Sequence, residues 1–189
     1  MHIVGISGSL RKASTNTGLL RAVQKVLPAG YTMDIIVPGD LPLLNTDIEA
    51  PEVLPASVAA FRERVKKADG FIFASPENNY SVSAAFKNAV DWASRGPDGN
   101  LFNDRPAAVL SAGGGAGGLR AQQHIFDIAV YLNLHMMNHP QIAVKVFDQP
   151  PVMDVWNSGE VVDAKLQVDC DKFLQAFVQW SNRINATRK

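Results

Sequence analysis

The sequence predicts a three-layer α/β domain, with a five-stranded parallel sheet covered by helices on both faces. Five short apolar segments alternate along the chain with five segments whose apolar residues recur at helical spacing. Such alternation is typical of parallel sheets, and strands that are apolar along their whole length are typical of sheets buried on both sides. Three of the apolar segments run directly into a polar or glycine-rich loop and then a helix. Five strands favour the order 2-1-3-4-5.

The first strand is the apolar run at 2–7, and the helix after it, at 17–27, places Leu19, Leu20 and Val23 on one side. A shorter strand follows at 32–37. Residues 38–52 are predicted to be a loop because they contain three prolines and a glycine.

From about Val53, apolar residues recur at helical spacing as far as Val65. A third strand, at 70–75, stops before a proline, and a third helix is predicted at 83–94. Small residues give that helix a thin side for close packing.

Pro106 precedes a fourth buried strand at 107–112, and a glycine cluster then leads into a helix at 119–132. A fifth strand is predicted at 139–146, entered through Pro140. The last helix, at about 161–184, carries a clear apolar stripe that includes Cys170, which we interpret as a small core residue.

Length and composition predict a single domain over residues 1–189. The 18 basic and 18 acidic side chains cancel, which argues against nucleic-acid or membrane-surface partners. One cysteine allows neither an intrachain disulfide nor a cysteine metal cluster. No signal peptide or membrane-length apolar run is visible, so we expect a cytoplasmic protein whose two glycosylation sequons are chance matches.

The loop after the first strand carries hydroxyl, amide and guanidinium groups at the start of a helix. These are Ser9, Arg11, Ser14, Asn16 and Thr17. Helix starts gather unpaired N–H groups and the positive end of the dipole, which suits a phosphate monoester. A simple capped turn, with Ser14 or Asn16 satisfying the helix start, explains the same residues. The spacing fits neither a dinucleotide fingerprint nor a P-loop.

The other two loops offer groups suited to a flat heteroaromatic ring. Residues 76–81 supply N–H groups and the amides of Asn78 and Asn79, and residues 113–118 are almost free of side chains. In the predicted strand order, the first, third and fourth strands are neighbours, so all three loops would converge at one edge of the sheet.

Together these loops resemble the NADPH-dependent FMN reductase family, the flavodoxin-like quinone and chromate reductases. The first loop is similar to the family's GS-x-R-x-x-S-x-N signature. The second is similar to its P-E-Y-N-x-S-x-P-G-x-L-K-N-A-x-D-W signature. Asn78 stands where the family has tyrosine, and Ser83-Ala84 replaces Pro-Gly, as in plant-type quinone reductases. The resemblance covers about residues 3–135 and implies a flavodoxin-like fold.

The resemblance also implies a set of FMN-binding residues. The phosphate would be held by Ser9, Arg11, Ser14, Asn16 and Thr17. The flavin ring would be lined by Pro76, Glu77, Asn78, Asn79, Tyr80 and Ser81, with Gly113, Gly114 and Gly115 along its far edge.

By the same resemblance, hydride would pass from NADPH or NADH to N5 of FMN. It would then pass to a quinone, azo compound, chromate or free flavin, with ping-pong kinetics. No protein acid–base pair is required, and His124, His135 and His139 are interpreted as structural, so no metal is expected. The family implies a homodimer, with a tetramer as the larger alternative.

Two other functional classes remain open at this point. One is a one-electron carrier of flavodoxin type, although such carriers tend to be acidic and this chain has no net charge. The other is a flavin-binding regulator that keeps the pocket without turnover.

Overall fold

A computed structural model describes residues 1–96 and 98–188, and it has the predicted three-layer architecture. All strand pairs are parallel, and the sheet order is β2-β1-β3-β4-β5, with β6 also paired to β4. The strands are β1 His2–Ser7, β2 Thr32–Ile36, β3 Gly70–Ala74, β4 Pro106–Gly113, β5 His135–Met136 and β6 Ile142–Lys145. The helices are α1 Thr15–Gln24, α2 Ala56–Lys66, α3 Ala84–Ala93, α4 Leu119–Leu132 and α5 Ala164–Thr187. The predicted fold class and strand order are confirmed.

The fifth position of the sheet is filled by two short strands rather than one. β5 pairs with the start of β4, and β6 pairs with its end, both on the edge of β4 opposite β3. The strand predicted at 139–146 therefore begins later, at Ile142. Pro140 lies between the two pieces, and because proline has no N–H it cannot donate to a sheet ladder.

Capping side chains fix the helix starts that sequence spacing left approximate. The Ser14 hydroxyl accepts a hydrogen bond from the Thr17 N–H at 3.1 Å, so α1 begins at Thr15 instead of Thr17. Asp163 caps α5 in the same way by accepting from the Leu166 N–H at 2.7 Å. Helix α2 begins after Pro55, three residues beyond the predicted start.

The sheet separates two apolar cores. On one face, α1 and α5 bury leucine, valine and phenylalanine side chains against the strands, and Cys170 lies among them. On the other face, α2, α3 and α4 enclose a phenylalanine cluster in which the rings of Phe71 and Phe102 meet edge to face at 4.9 Å. Burial of this much apolar surface is the main force that holds the layers together.

The loop at 38–52 is fastened to α3 rather than free. The Trp92 indole N–H donates to the Pro42 carbonyl at 2.7 Å, and the Asn88 side chain bonds both the Pro42 carbonyl and the Leu44 N–H. Trp92 is 1% exposed, so it is a core residue. Within the described ranges, no helix combines the length and hydropathy needed to cross a membrane.

The buried guanidinium of Arg62 terminates α3 from outside the helix. It donates to the carbonyl of Trp92 at 2.7 Å and to that of Arg95. We expect Arg62→Met to lower the free energy of unfolding by roughly 1–3 kcal/mol, because these buried carbonyls lose charged donors. Arg64→Met is the matched control: Arg64 forms an exposed pair with Asp34, so its loss should cost less than about 1 kcal/mol. Equal losses in urea denaturation of both variants would contradict this role.

Burial raises the pKa of the Cys170 thiol to about 12, with a smaller contribution from the nearby Asp169 carboxylate. An exposed thiol has a pKa of about 8.5, and only the thiolate attacks alkylating reagents. We therefore expect no modification of Cys170 by iodoacetamide in the folded protein at a pH near that value, and complete modification in urea. Rapid labelling without denaturant, followed by mass spectrometry, would place the thiol outside the core.

Candidate functional site

The loops after β1 and β3 are joined where the two strands end. The Gly8 N–H donates to the Ala74 carbonyl at 2.7 Å, and the Ser83 hydroxyl donates to the Gly8 carbonyl at 2.6 Å. The Ser83 N–H in turn bonds the Ser75 hydroxyl at 3.3 Å. The serine found at position 83, in place of the family's proline, thus caps α3 and ties the first loop to the second.

The loops after β1 and β4 are joined by Asn16. Its side-chain Nδ2 donates to the Ala112 carbonyl at 2.8 Å, and its Oδ1 accepts from the Ala112 N–H at 3.0 Å. The loops after β3 and β4 are joined by Glu77, whose carboxylate accepts from the Arg120 N–H at 3.0 Å and from the Arg120 side chain at 2.9 Å. All three loops therefore meet at one edge of the sheet, as their sequence positions predict.

In the first loop, most predicted side chains are bonded within the protein. Ser14 caps α1, Asn16 holds Ala112, and the Thr17 hydroxyl pairs with that of Ser7 at 2.8 Å. All three are buried, while Ser9 is partly exposed and Arg11 is exposed. The capped-turn interpretation thus describes Ser14 correctly. It leaves the backbone unexplained, because the N–H groups of residues 10–16 donate to no other described residue.

Arg11 connects the first loop to the segment between β6 and α5. Its guanidinium donates to the Ala13 carbonyl at 2.8 Å and to the Val155 carbonyl. The same segment touches α1 where Gly18 faces the backbone of Gly159, an approach too close for a side chain on Gly18. No chemical motif marks this segment in the sequence, because its contact with α1 depends on two glycines far apart in the chain.

The second loop is a tight turn with unusual backbone angles. Asn78 and Ser81 exchange N–H···O=C bonds of 2.9 and 3.0 Å, and both central residues have positive φ, 49° for Asn79 and 66° for Tyr80. Such a pair of angles is typical of a type I′ turn, and it is rare for a bulky residue such as tyrosine. The Arg120 guanidinium lies 4.0 Å from the centre of the Tyr80 ring, a cation–π contact that helps hold the ring in place.

The third loop leaves a cavity of about 610 Å³ between itself and the second loop. The cavity is lined by Glu77, Asn79, Tyr80, Gly114, Gly115, Ala116, Gly118 and Arg120. A Cβ added at Gly115 would meet no atom within 4 Å, so the absence of side chains keeps this space open. Five predicted site residues thus line one cavity, whereas Pro76, Asn78, Ser81 and Gly113 flank it.

Three cavity residues were not predicted as cofactor ligands: Ala116, Gly118 and Arg120. Gly118 and Ala116 belong to the glycine cluster, so position in that cluster was the available signal.

His124 bonds the Ser81 hydroxyl at 2.9 Å, and His135 pairs with Asp104 at 2.7 Å. Among residues 1–96 and 98–188, no group of three or more metal-ligating side chains is assembled.

The chain matches known proteins over most of its length. The sequence pattern of the NADPH-dependent FMN reductase family fits residues 1–149. An Arabidopsis thaliana protein named NADPH:quinone oxidoreductase is 46% identical over 166 residues, which are 86% of this chain and 83% of that protein. The quinone reductase of Escherichia coli K12 is 35% identical over 185 residues, with 97% of both chains covered.

Among solved structures, the chain is similar to FerB, a flavoenzyme NAD(P)H:(acceptor) oxidoreductase from Paracoccus denitrificans. The TM-score is 0.83 at 29% identity, over 96% of this chain and 97% of FerB. The likeness therefore extends beyond the three loops to the last strand and helix. On the family match and these relatives, this chain is a member of the NADPH-dependent FMN reductase family, an oxidoreductase family that uses FMN and NAD(P)H.

Proposed function

We propose that FMN binds where the three loops meet and that the chain reduces quinones or similar small acceptors with NAD(P)H. The observation that carries this proposal is the run of N–H groups at residues 10–16 that donate to no other described residue, together with an open cavity between the other two loops. The names of the Arabidopsis and E. coli relatives support quinones as the acceptor class, with azo compounds, chromate and free flavins as alternatives.

The first loop suits the phosphate end of FMN. Seven consecutive N–H groups at the positive end of α1 donate to no other described residue, and such groups would attract an anion. Ser9 and Arg11 would add side-chain donors from its exposed side. Ser14, Asn16 and Thr17 would act mainly by fixing the backbone, because their own polar atoms are bonded to Thr17, Ala112 and Ser7 respectively.

The cavity between the second and third loops suits the flat ring. Asn79 and Tyr80 would form one wall, and the backbone of Gly114 and Gly115 the opposite wall, with Pro76, Asn78, Ser81 and Gly113 holding these walls in place. When bound, FMN supplies two-electron hydride chemistry at its N5 atom. The protein would place the ring, exclude competing reactions, and let nicotinamide and acceptor enter the same opening in turn. We therefore expect ping-pong kinetics.

The zero net charge favours an enzyme over a carrier of flavodoxin type, which would need an acidic surface to dock on basic partners.

We also propose a single domain over residues 1–189 and a homodimer formed beside α3. The family membership supports the dimer, since two of the small residues on α3, Asn88 and Ala89, are already buried within the chain; a tetramer is the larger alternative. A cytoplasmic location is consistent with the use of NAD(P)H, which cells keep inside.

Arg11→Ala should weaken FMN binding about 10- to 100-fold, because a charge-assisted contact contributes roughly 1.5–3 kcal/mol. Lys12→Ala is the matched control, since it removes one positive charge from the adjacent exposed position. Quenching of FMN fluorescence during titration with each protein gives both dissociation constants. Equal affinities for Arg11→Ala and the unaltered chain would show that the phosphate lies elsewhere.

Purified protein loaded with FMN should oxidise NADPH rapidly only when benzoquinone is present, and double-reciprocal plots should be parallel. The reason is that oxidised nicotinamide would leave before the quinone binds at the same opening, so no complex would contain both substrates. Stopped-flow absorbance under anaerobic conditions follows both steps separately. Reduction of the bound flavin by NADPH without transfer to any quinone would favour the regulator, and reduction only by a protein partner would favour the carrier.

A further inference from the structure

A chain of buried hydrogen bonds holds the third loop from behind. The Ser111 hydroxyl, on β4, donates to the Gly117 carbonyl at 2.6 Å. The Gln122 side-chain Nε2, on α4, donates to Ser111 Oγ at 2.8 Å and to the Ile142 carbonyl at 2.7 Å. Ser111 is fully buried and Gln122 is 1% exposed, so water does not compete for these bonds.

The donor and the acceptor of each hydrogen bond made by Ser111 and Gln122 are fixed. Ser111 has one hydroxyl proton, and the Gly117 carbonyl takes it, so Ser111 Oγ can only accept from Gln122. The Ile142 carbonyl also requires a donor. Gln122 must therefore turn its NH₂ group toward both acceptors, which leaves its Oε1 atom buried without a donor among the described residues.

A buried, unbonded amide oxygen normally costs about 1–3 kcal/mol. At Gln122 this cost accompanies the hydrogen bonds through Ser111 that hold the Gly117 carbonyl in one orientation. Because a trans peptide group is planar, with its C=O and N–H on opposite sides, the Gly118 N–H is turned away from Ser111. Gly118 lines the cavity, and its N–H donates to no other described residue.

The packing around this peptide allows little adjustment. A Cβ on Gly118, which has a φ of 88°, would lie 2.7 Å from Ser111 Oγ. A Cβ on Gly117 would lie 2.8 Å from the Ala143 carbonyl oxygen. The loop thus rests directly on β4 and β6, and the hydrogen bonds from Ser111 and Gln122 select one orientation of the peptide group.

We propose that Ser111 and Gln122 are positioning residues that preorganise the Gly118 N–H as a hydrogen-bond donor toward the flavin. This inference rests on the proposed FMN site. A donor fixed before binding costs no reorganisation when the ligand arrives, and it favours the more negative reduced form of a flavin. Neither side chain touches the cavity, so both would act only through the loop backbone.

The test compares Ser111→Ala and Gln122→Leu with controls on α5. Ser181→Ala removes a buried hydroxyl that has no partner among the described residues, and Gln167→Leu removes a side chain that donates to Ala22. Dissociation constants for FMN and the two-electron potential of bound FMN, from dye-coupled anaerobic titration, are measured for all five proteins. Ser111→Ala removes a single atom, so it keeps the test valid if Gln122→Leu does not fold.

Both site variants should bind FMN about 10-fold more weakly and have a potential lower by about 30 mV, equivalent to a further 10-fold loss for reduced FMN. Both controls should match the unaltered chain. Site variants that lose thermal stability but keep affinity and potential would overturn the inference, because the bonds would then serve folding alone. Absence of FMN binding by the unaltered chain would instead refute the proposed function.

Discussion

Two hydrogen bonds between the Asn16 side chain and the Ala112 backbone join the start of α1 to the end of β4. This connection fixes how far the first loop lies from the third loop, so the proposed phosphate end of the site depends on it. Both residues are buried, so the bonds form in a setting where an unbonded amide would be costly. Ser83 and Glu77 make the corresponding connections to the second loop.

This arrangement explains why polar backbone groups stay free at the site while the fold stays stable. Side chains such as Ser14, Asn16 and Thr17 form hydrogen bonds in the interior, and the N–H groups of residues 10–16, which donate to no other described residue, remain available to a ligand. The site is therefore built mainly from main chain held in place by buried side chains. Main-chain donors on a rigid frame suit an anionic cofactor, because little order must be gained on binding.

Features that have a local sequence pattern could be predicted, and contacts between residues far apart in the chain could not. The apolar run of β3 and the stripe of α5 predicted their elements directly, because burial demands apolar side chains at fixed spacing. The split between β5 and β6 was missed, since a short pair such as His135–Met136 carries no periodic signal and its pairing is decided by the neighbouring β4. Arg11 is predicted as a site residue from its motif, but its bond to Val155, 144 positions away, has no local signature.

The sequence by itself determined the fold class, the strand order and the three loops of the candidate site, because periodicity and motif spacing are local properties. Tertiary structure alone decided which atoms those loops offer. In the folded chain the Asn16 amide is bonded to Ala112, and Glu77 is bonded to Arg120 on α4. Ser111 and Gln122 are bonded to each other behind the third loop. A polar side chain has several possible partners, and only the packed fold brings one within bonding distance and removes water from the others.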